Sequence, residues 1–121
     1  MLRRCFCFTV ITMCSFNIYG VEEIPGIQCN YEGTQQEMNA CAFDEFKTED
    51  KLLNEKYKKI MQALPKKQQI QLRQEQRLWL KQRDPKCQQE TKESEGGSIW
   101  PLMFYSCLSS STKQRTETLG K

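Results

Sequence analysis

The chain reads as an all-α protein, an antiparallel three-helix bundle stapled by two disulfides. Three observations predict this. Apolar residues recur at steps of three, four or seven, and no stretch of useful length alternates apolar with polar residues as a strand would. Pro65 and Gly96-Gly97 punctuate the chain where neighbouring helices should turn. Four cysteines, Cys29, Cys41, Cys87 and Cys107, remain once an N-terminal export signal is set aside.

That signal occupies residues 1–20. Arg3 and Arg4 form its charged start, Cys5 to Phe16 its apolar run, and Gly20 is a small residue at a plausible cleavage point. The run is too short for a bilayer-spanning helix, which needs about 20 residues. Cys5, Cys7 and Cys14 therefore leave with the signal, and an even number stays behind in an oxidising compartment. A lipid on Cys14 is the alternative, and it would anchor the chain to a membrane. Met13 argues against it, because it stands where lipoprotein processing needs a small side chain. The long gaps between the four cysteines contain no C-x-x-C pair, so disulfides are expected rather than a zinc site, and neither metal nor cofactor is predicted.

Residues 21–33 hold Pro25, Gly26 and Gly33 without periodicity, an extended lead-in tied down at Cys29. The helical domain spans 34–119. Thr34 and Glu37 form a T-x-x-E capping box: the hydroxyl accepts from the Glu37 amide while the carboxylate reaches back. Met38, Ala42, Phe46, Leu53, Tyr57, Ile60 and Leu64 then make one apolar stripe. Pro65 ends it, having no amide proton and disfavouring helix in the residue before it.

A second helix begins near Lys66 and carries Leu72, Gln76, Trp79, Leu80, Arg83 and Cys87 on one face. Asp84-Pro85 predicts a kink or a restart with Asp84 as cap. The polar run from Gln88 to Gly97 reads as a helix stop and loop. Ser98 is placed to cap a third helix with Pro101 in its first turn and a stripe of Trp100, Phe104, Cys107, Leu108, Ser111, Arg115 and Leu119.

Turning at Pro65 and again at Gly97 brings Cys41, Cys87 and Cys107 to one end of the bundle, where the lead-in carrying Cys29 also begins. Four cysteines allow three pairings. Cys29–Cys41 with Cys87–Cys107 is favoured because both close short loops between neighbouring elements; Cys41–Cys87 with Cys29–Cys107 is the rival.

Charge is segregated. Residues 21–55 carry nine acidic and two basic side chains, residues 56–86 ten basic and two acidic, and residues 87–121 balance. The folded domain should show one acidic and one basic region, either of which can steer a charged partner, or a solvated surface whose charges partly cancel.

Cys29, the run T-Q-Q-E-M-N-A-C-A from Thr34, D-K-L-L-N-E-K-Y from Asp50, Q-R-L-W-L-K-Q-R-D-P-K-C from Gln76, the Gly96-Gly97-Ser98 turn, and Cys107 followed by T-K-Q-R from Thr112 resemble the N-terminal domain of the lysozyme inhibitor LprI family. The resemblance spans roughly Cys29 to Leu119. It implies a small exported bacterial protein, periplasmic or secreted, whose partner is a lysozyme or another protein.

Most motif residues have structural explanations. Trp79 and Tyr57 lie on apolar stripes and belong to the core. Arg83 and Arg115 lie on inward faces, where Asp50, Glu37 or Asp84 can pair with them. Asn39 and Asn54 flank the first stripe and can bond across helices. Gly96 and Gly97 serve positive backbone dihedrals. Ser98 is a cap rather than a nucleophile, since the chain has no histidine to activate it. Glu37, Asp44, Glu45, Glu49 and Asp50 are spread along a helix with lysines between them, which is a solvated face and not a catalytic pair. No enzyme is predicted.

Three functions compete. The first is a secreted inhibitor that occludes a lysozyme, with Asp44, Glu45 and Glu49 steering a basic partner and the segment holding Glu93, Glu95 and Ser98, or the lead-in near Cys29, inserting. The second is an envelope adaptor or virulence accessory that binds another protein. The third sets Lys58, Lys59, Lys66, Lys67, Arg73 and Arg77 on anionic lipid or nucleic acid. The absence of aromatics among those lysines, and export itself, count against nucleic acid.

Overall fold

In the computed structural model, which describes residues 26–121, three helices run up, down and up: α1 (Gln35–Ala63), α2 (Lys66–Glu90) and α3 (Trp100–Thr118), with a 3-10 turn over Lys92–Ser94. No strand occurs among the described residues. The expected signal peptide, its alternative lipid site at Cys14 and the start of the lead-in lie outside the described residues.

The capping box forms as the sequence predicts. The Thr34 hydroxyl accepts from the Glu37 amide at 3.3 Å, and the Glu37 carboxylate accepts from the Thr34 amide at 2.6 Å. At its other end α1 has no basic side chain to cover the last carbonyls. Gln69 supplies the donor instead: its side-chain amide reaches back across the Leu64-Pro65 turn to the carbonyls of Met61 and Leu64, at 3.0 and 2.9 Å. A helix end keeps its orphan acceptors satisfied in this way.

α1 and α3 run parallel and lie closest together. Ala42 and Thr112, both wholly buried, let the two backbones approach. Phe43 and Phe46 meet Tyr105 near the start of the pair, and Lys56 donates to the Thr116 carbonyl near its end. α2 lies antiparallel to both and approaches α3 more loosely. Leu53, Leu72 and Leu119 form the apolar core, with Tyr57, Ile60, Met61, Leu64 and Trp79 packed around them.

The structure joins Cys29 to Cys41 and Cys87 to Cys107, the pairing favoured on loop length. The first staples the lead-in to α1, the second α2 to α3.

Several boundaries differ from expectation. α2 does not restart at Asp84-Pro85; it is one helix with Pro85 inside it and continues to Glu90, three residues into the expected loop. Pro85 is exposed, so the carbonyl that its missing N–H leaves free can turn to water. Ser98 is not the cap of α3. Ile99 takes that position without a side-chain bond, and the Ser98 carbonyl accepts instead from the Asn39 side chain on α1, at 2.9 Å. Of the glycine pair only Gly96 has positive φ, at 82°. Leu80 lies off the buried face of α2 and is 43% exposed.

Candidate functional site

The motif residues gather in two places of different character. The first is a buried polar layer where α2 faces the other helices. Arg83, whose side chain is 9% exposed, stacks its guanidinium between Phe46 and Trp79, at 5.1 and 5.3 Å from the ring centroids. Its nitrogens donate to Asp50 on α1 at 3.4 Å, Asp84 at 2.8 Å and the Thr112 hydroxyl on α3 at 3.4 Å. A guanidinium has five donors in a rigid fork, so one side chain ties three helices together.

One helical turn further along α3, Arg115 donates to the buried Gln76 at 3.0 Å rather than to any of the expected carboxylates. Glu37 is no partner for either arginine. It stays at the surface in the capping box, where the bonds from Thr34 hold its carboxyl below the usual carboxylate range. Asn39 bonds across to the α3 end as expected, but Asn54 bonds to Asp50 within its own helix at 3.2 Å.

Sequence reasoning missed Thr112 and Tyr105. Thr112 is wholly buried one residue from the recognised stripe, and its hydroxyl accepts from Arg83. Tyr105 stands edge-on to Phe43 with centroids 5.0 Å apart. The adjacency of Phe104 and Tyr105 was the available signal: two large rings side by side cannot both sit on a narrow stripe, so one must serve a second neighbour. Phe104 stacks on Trp100 while Tyr105 serves α1.

The second place is a shallow groove between α1 and α3, lined by Cys29, Cys41, Asp44, Glu45, Glu49 and Lys113 among others. α2 contributes nothing to it. Asp44 pairs with Lys47 at 3.1 Å on the exposed surface, and Glu45 accepts from the Tyr31 hydroxyl of the lead-in. That bond pushes the phenol of Tyr31 up to about 12. The three carboxylates follow at spacings of one and four residues on α1, which sets them along one wall; Lys113 faces them from α3.

Glu93 and Glu95 are exposed on the connection between α2 and α3, and neither they nor Ser98 line the groove. The bond from Asn39 to Ser98 sets that connection at the same end of the bundle as Cys41. Groove and connection are thus neighbouring features. The groove sets the exposed carboxylates of Asp44 and Glu45 beside the half-buried Glu49. Among the described residues no cluster of His, Cys, Asp or Glu is placed to hold a metal, and no helix is long and apolar enough to cross a membrane.

Comparison with known proteins agrees with the motifs. A family model described as lysozyme inhibitor LprI matches residues 28–119. An uncharacterized protein of Rhizobium meliloti (strain 1021) is 27% identical over 108 residues, covering 78% of each chain. No solved structure matches the chain at a significant level.

Proposed function

The chain belongs to the lysozyme inhibitor LprI family, and from that premise we propose that it is an exported protein that occludes a lysozyme by surface contact and turns nothing over. The observation that carries the reading is the wall of Asp44, Glu45 and Glu49 along the α1–α3 groove, beside the Cys29–Cys41 staple. Animal-type lysozymes are strongly basic, and complementary charge speeds encounter more than it deepens final affinity. The cleft itself works with two carboxyl groups. An acidic wall is therefore suited to the basic surround of the cleft rather than to its floor. Glu93 and Glu95 would meet repulsion at that floor too, so the connection bearing them and Ser98 is assigned to the rim.

Export fits the two disulfides, which persist in oxidising compartments. The test is a lysozyme activity assay with the oxidised protein against several lysozyme types. Inhibition that saturates at one protein per lysozyme is expected. Replacing Asp44, Glu45 and Glu49 with lysine should weaken it, and alanine at Glu93, Glu95 and Ser98 tests the rim separately. Full inhibition by both variants would discard the surface while leaving the activity. No inhibition of any lysozyme by correctly oxidised protein would leave the adaptor reading, an envelope protein that binds some other partner.

A further inference from the structure

The basic half of the chain has no role in that reading. Lys58 and Lys59 near the end of α1, and Lys66, Lys67, Arg73, Arg77 and Lys81 on α2, are all exposed. The ion pairs among the described residues engage Lys47, Lys51, Arg83 and Lys86, and none of these seven. Of the acidic residues on the same helix, Asp84 is held by Arg83 and Glu90 by Lys86, which leaves Glu75.

Their arrangement follows from helical geometry. Lys66, Ile70, Arg73, Arg77 and Lys81 recur at steps of three or four, so they share one face. That face is turned away from Leu72, Gln76, Trp79 and Arg83, which pack inward. Exposed aliphatic side chains accompany the cations: Ile70, 54% exposed, lies within the stripe, while Leu78 at 57% and Leu80 at 43% flank it on opposite sides. From Lys66 to Lys81 the helix presents this mixture along about 23 Å.

We propose that the outer face of α2, with the α1–α2 turn, docks on an anionic lipid bilayer. Charge complementarity names the class of partner, since seven unpaired cations attract a surface of fixed negative charge. The accompanying aliphatics choose the bilayer among polyanions. Cations with Ile70 among them and a Leu at either edge suit the headgroup boundary, where charge meets phosphate and the aliphatic tips reach the acyl edge. A nucleic-acid strand would call for aromatic side chains among the lysines, and none is there. A second copy of this chain is the other candidate, because the α1–α3 groove offers carboxylates of the opposite sign.

The geometry gives the docking a consequence. The groove is lined by residues 41–49 of α1, by α3 and by Cys29, while the cations sit on α2 and on the last two turns of α1. A protein lying on its α2 face keeps the acidic groove free for a soluble basic partner.

Co-sedimentation of the oxidised protein with vesicles tests this, comparing pure phosphatidylcholine with a mixture containing about 30% phosphatidylglycerol, at salt from about 20 to about 300 mM. Binding to the anionic vesicles alone is expected, falling as salt rises. Each basic residue near such a surface strengthens binding by about fivefold. Lys66→Glu, Lys67→Glu, Arg73→Glu and Arg77→Glu together should therefore weaken it by more than about a hundredfold, with the circular dichroism unchanged. Ile70→Ser with Leu78→Ser should weaken vesicle binding while leaving retention on heparin intact, which separates a bilayer from any polyanion. No binding at low salt would overturn the proposal, as would equal binding to neutral vesicles or equal binding by the fourfold variant. Retention on heparin without vesicle binding would also overturn it, and sedimentation at low salt without vesicles would move the face to self-association.

Discussion

Two disulfides of similar loop length should contribute unequally, and the difference can be worked from what each one holds. Their cysteines lie 12 and 20 residues apart. Constraint of the unfolded chain alone assigns about 3 kcal/mol to each loop. Native contacts decide how much of that survives. Cys87–Cys107 joins helices that remain docked without it, through buried Leu108 and Thr112 and the bond from the Trp100 indole to Thr91. Removing it frees only the unfolded state, so the full effect of about 3 kcal/mol is expected. Cys29–Cys41 ties down a lead-in whose described side chains, over 26–33, are mostly exposed and which also reaches α1 through Tyr31 bonding to Glu45. Removing it frees that segment in the folded state as well, which cancels most of the difference and leaves about 1 kcal/mol. For a domain of this size the losses correspond to roughly 15 °C and roughly 5 °C in melting temperature. Thermal and urea unfolding of Cys87→Ala/Cys107→Ala and Cys29→Ala/Cys41→Ala reads both, and limited proteolysis should cut the second variant within 26–33 first. Equal losses, or a larger loss at Cys29–Cys41, would refute the reasoning.

Thr34→Ala should cost about 1 kcal/mol through loss of the cap. The bonds from Thr34 depress the Glu37 pKa, so the box contributes at neutral pH and its contribution is lost as pH falls through that lowered value; the variant should show a shallower loss of stability on acidification. Trp79→Ala should cost about 3 kcal/mol, since the ring packs on the Leu53, Leu72 and Leu119 cluster and forms one wall of the Arg83 sandwich. A negligible change in urea unfolding would assign Trp79 to the surface instead. Ultraviolet titration should find Tyr31 ionising at about 12, and Glu45→Gln should bring it back toward 10. An unchanged titration would mean that the lead-in is not held at Glu45.

Helix number, order and staples were legible because they rest on local rules: a capping box at Thr34, a proline at 65, glycine at 96, and stripes at helical spacing. The polar layer was only half legible. Arg83 and Arg115 were recognisable as inward cations, but partner choice depends on which helix faces which. α2 faces Asp50 with Arg83 and presents Gln76 to Arg115, and no spacing rule encodes that. The end of α2 and the cap of α3 differ from expectation because the polar run from Gln88 and the Ser98 hydroxyl are local signals that the fold does not follow. The helix runs on to Glu90, and Asn39 takes the Ser98 carbonyl. The acidic run was visible as a charge excess, yet the groove it lines needs Ser109, Ser110 and Lys113 from a distant part of the chain.

The central claim is that the acidic wall of the α1–α3 groove brings this protein to a lysozyme. Stopped-flow association with an animal-type lysozyme, run at low and physiological salt, tests it most directly. The original sequence should associate markedly faster at low salt. With lysine at 44, 45 and 49, association should be slowed and nearly insensitive to salt, because opposite charges no longer steer the encounter. Equal rates and equal salt dependence for the two proteins would contradict the account.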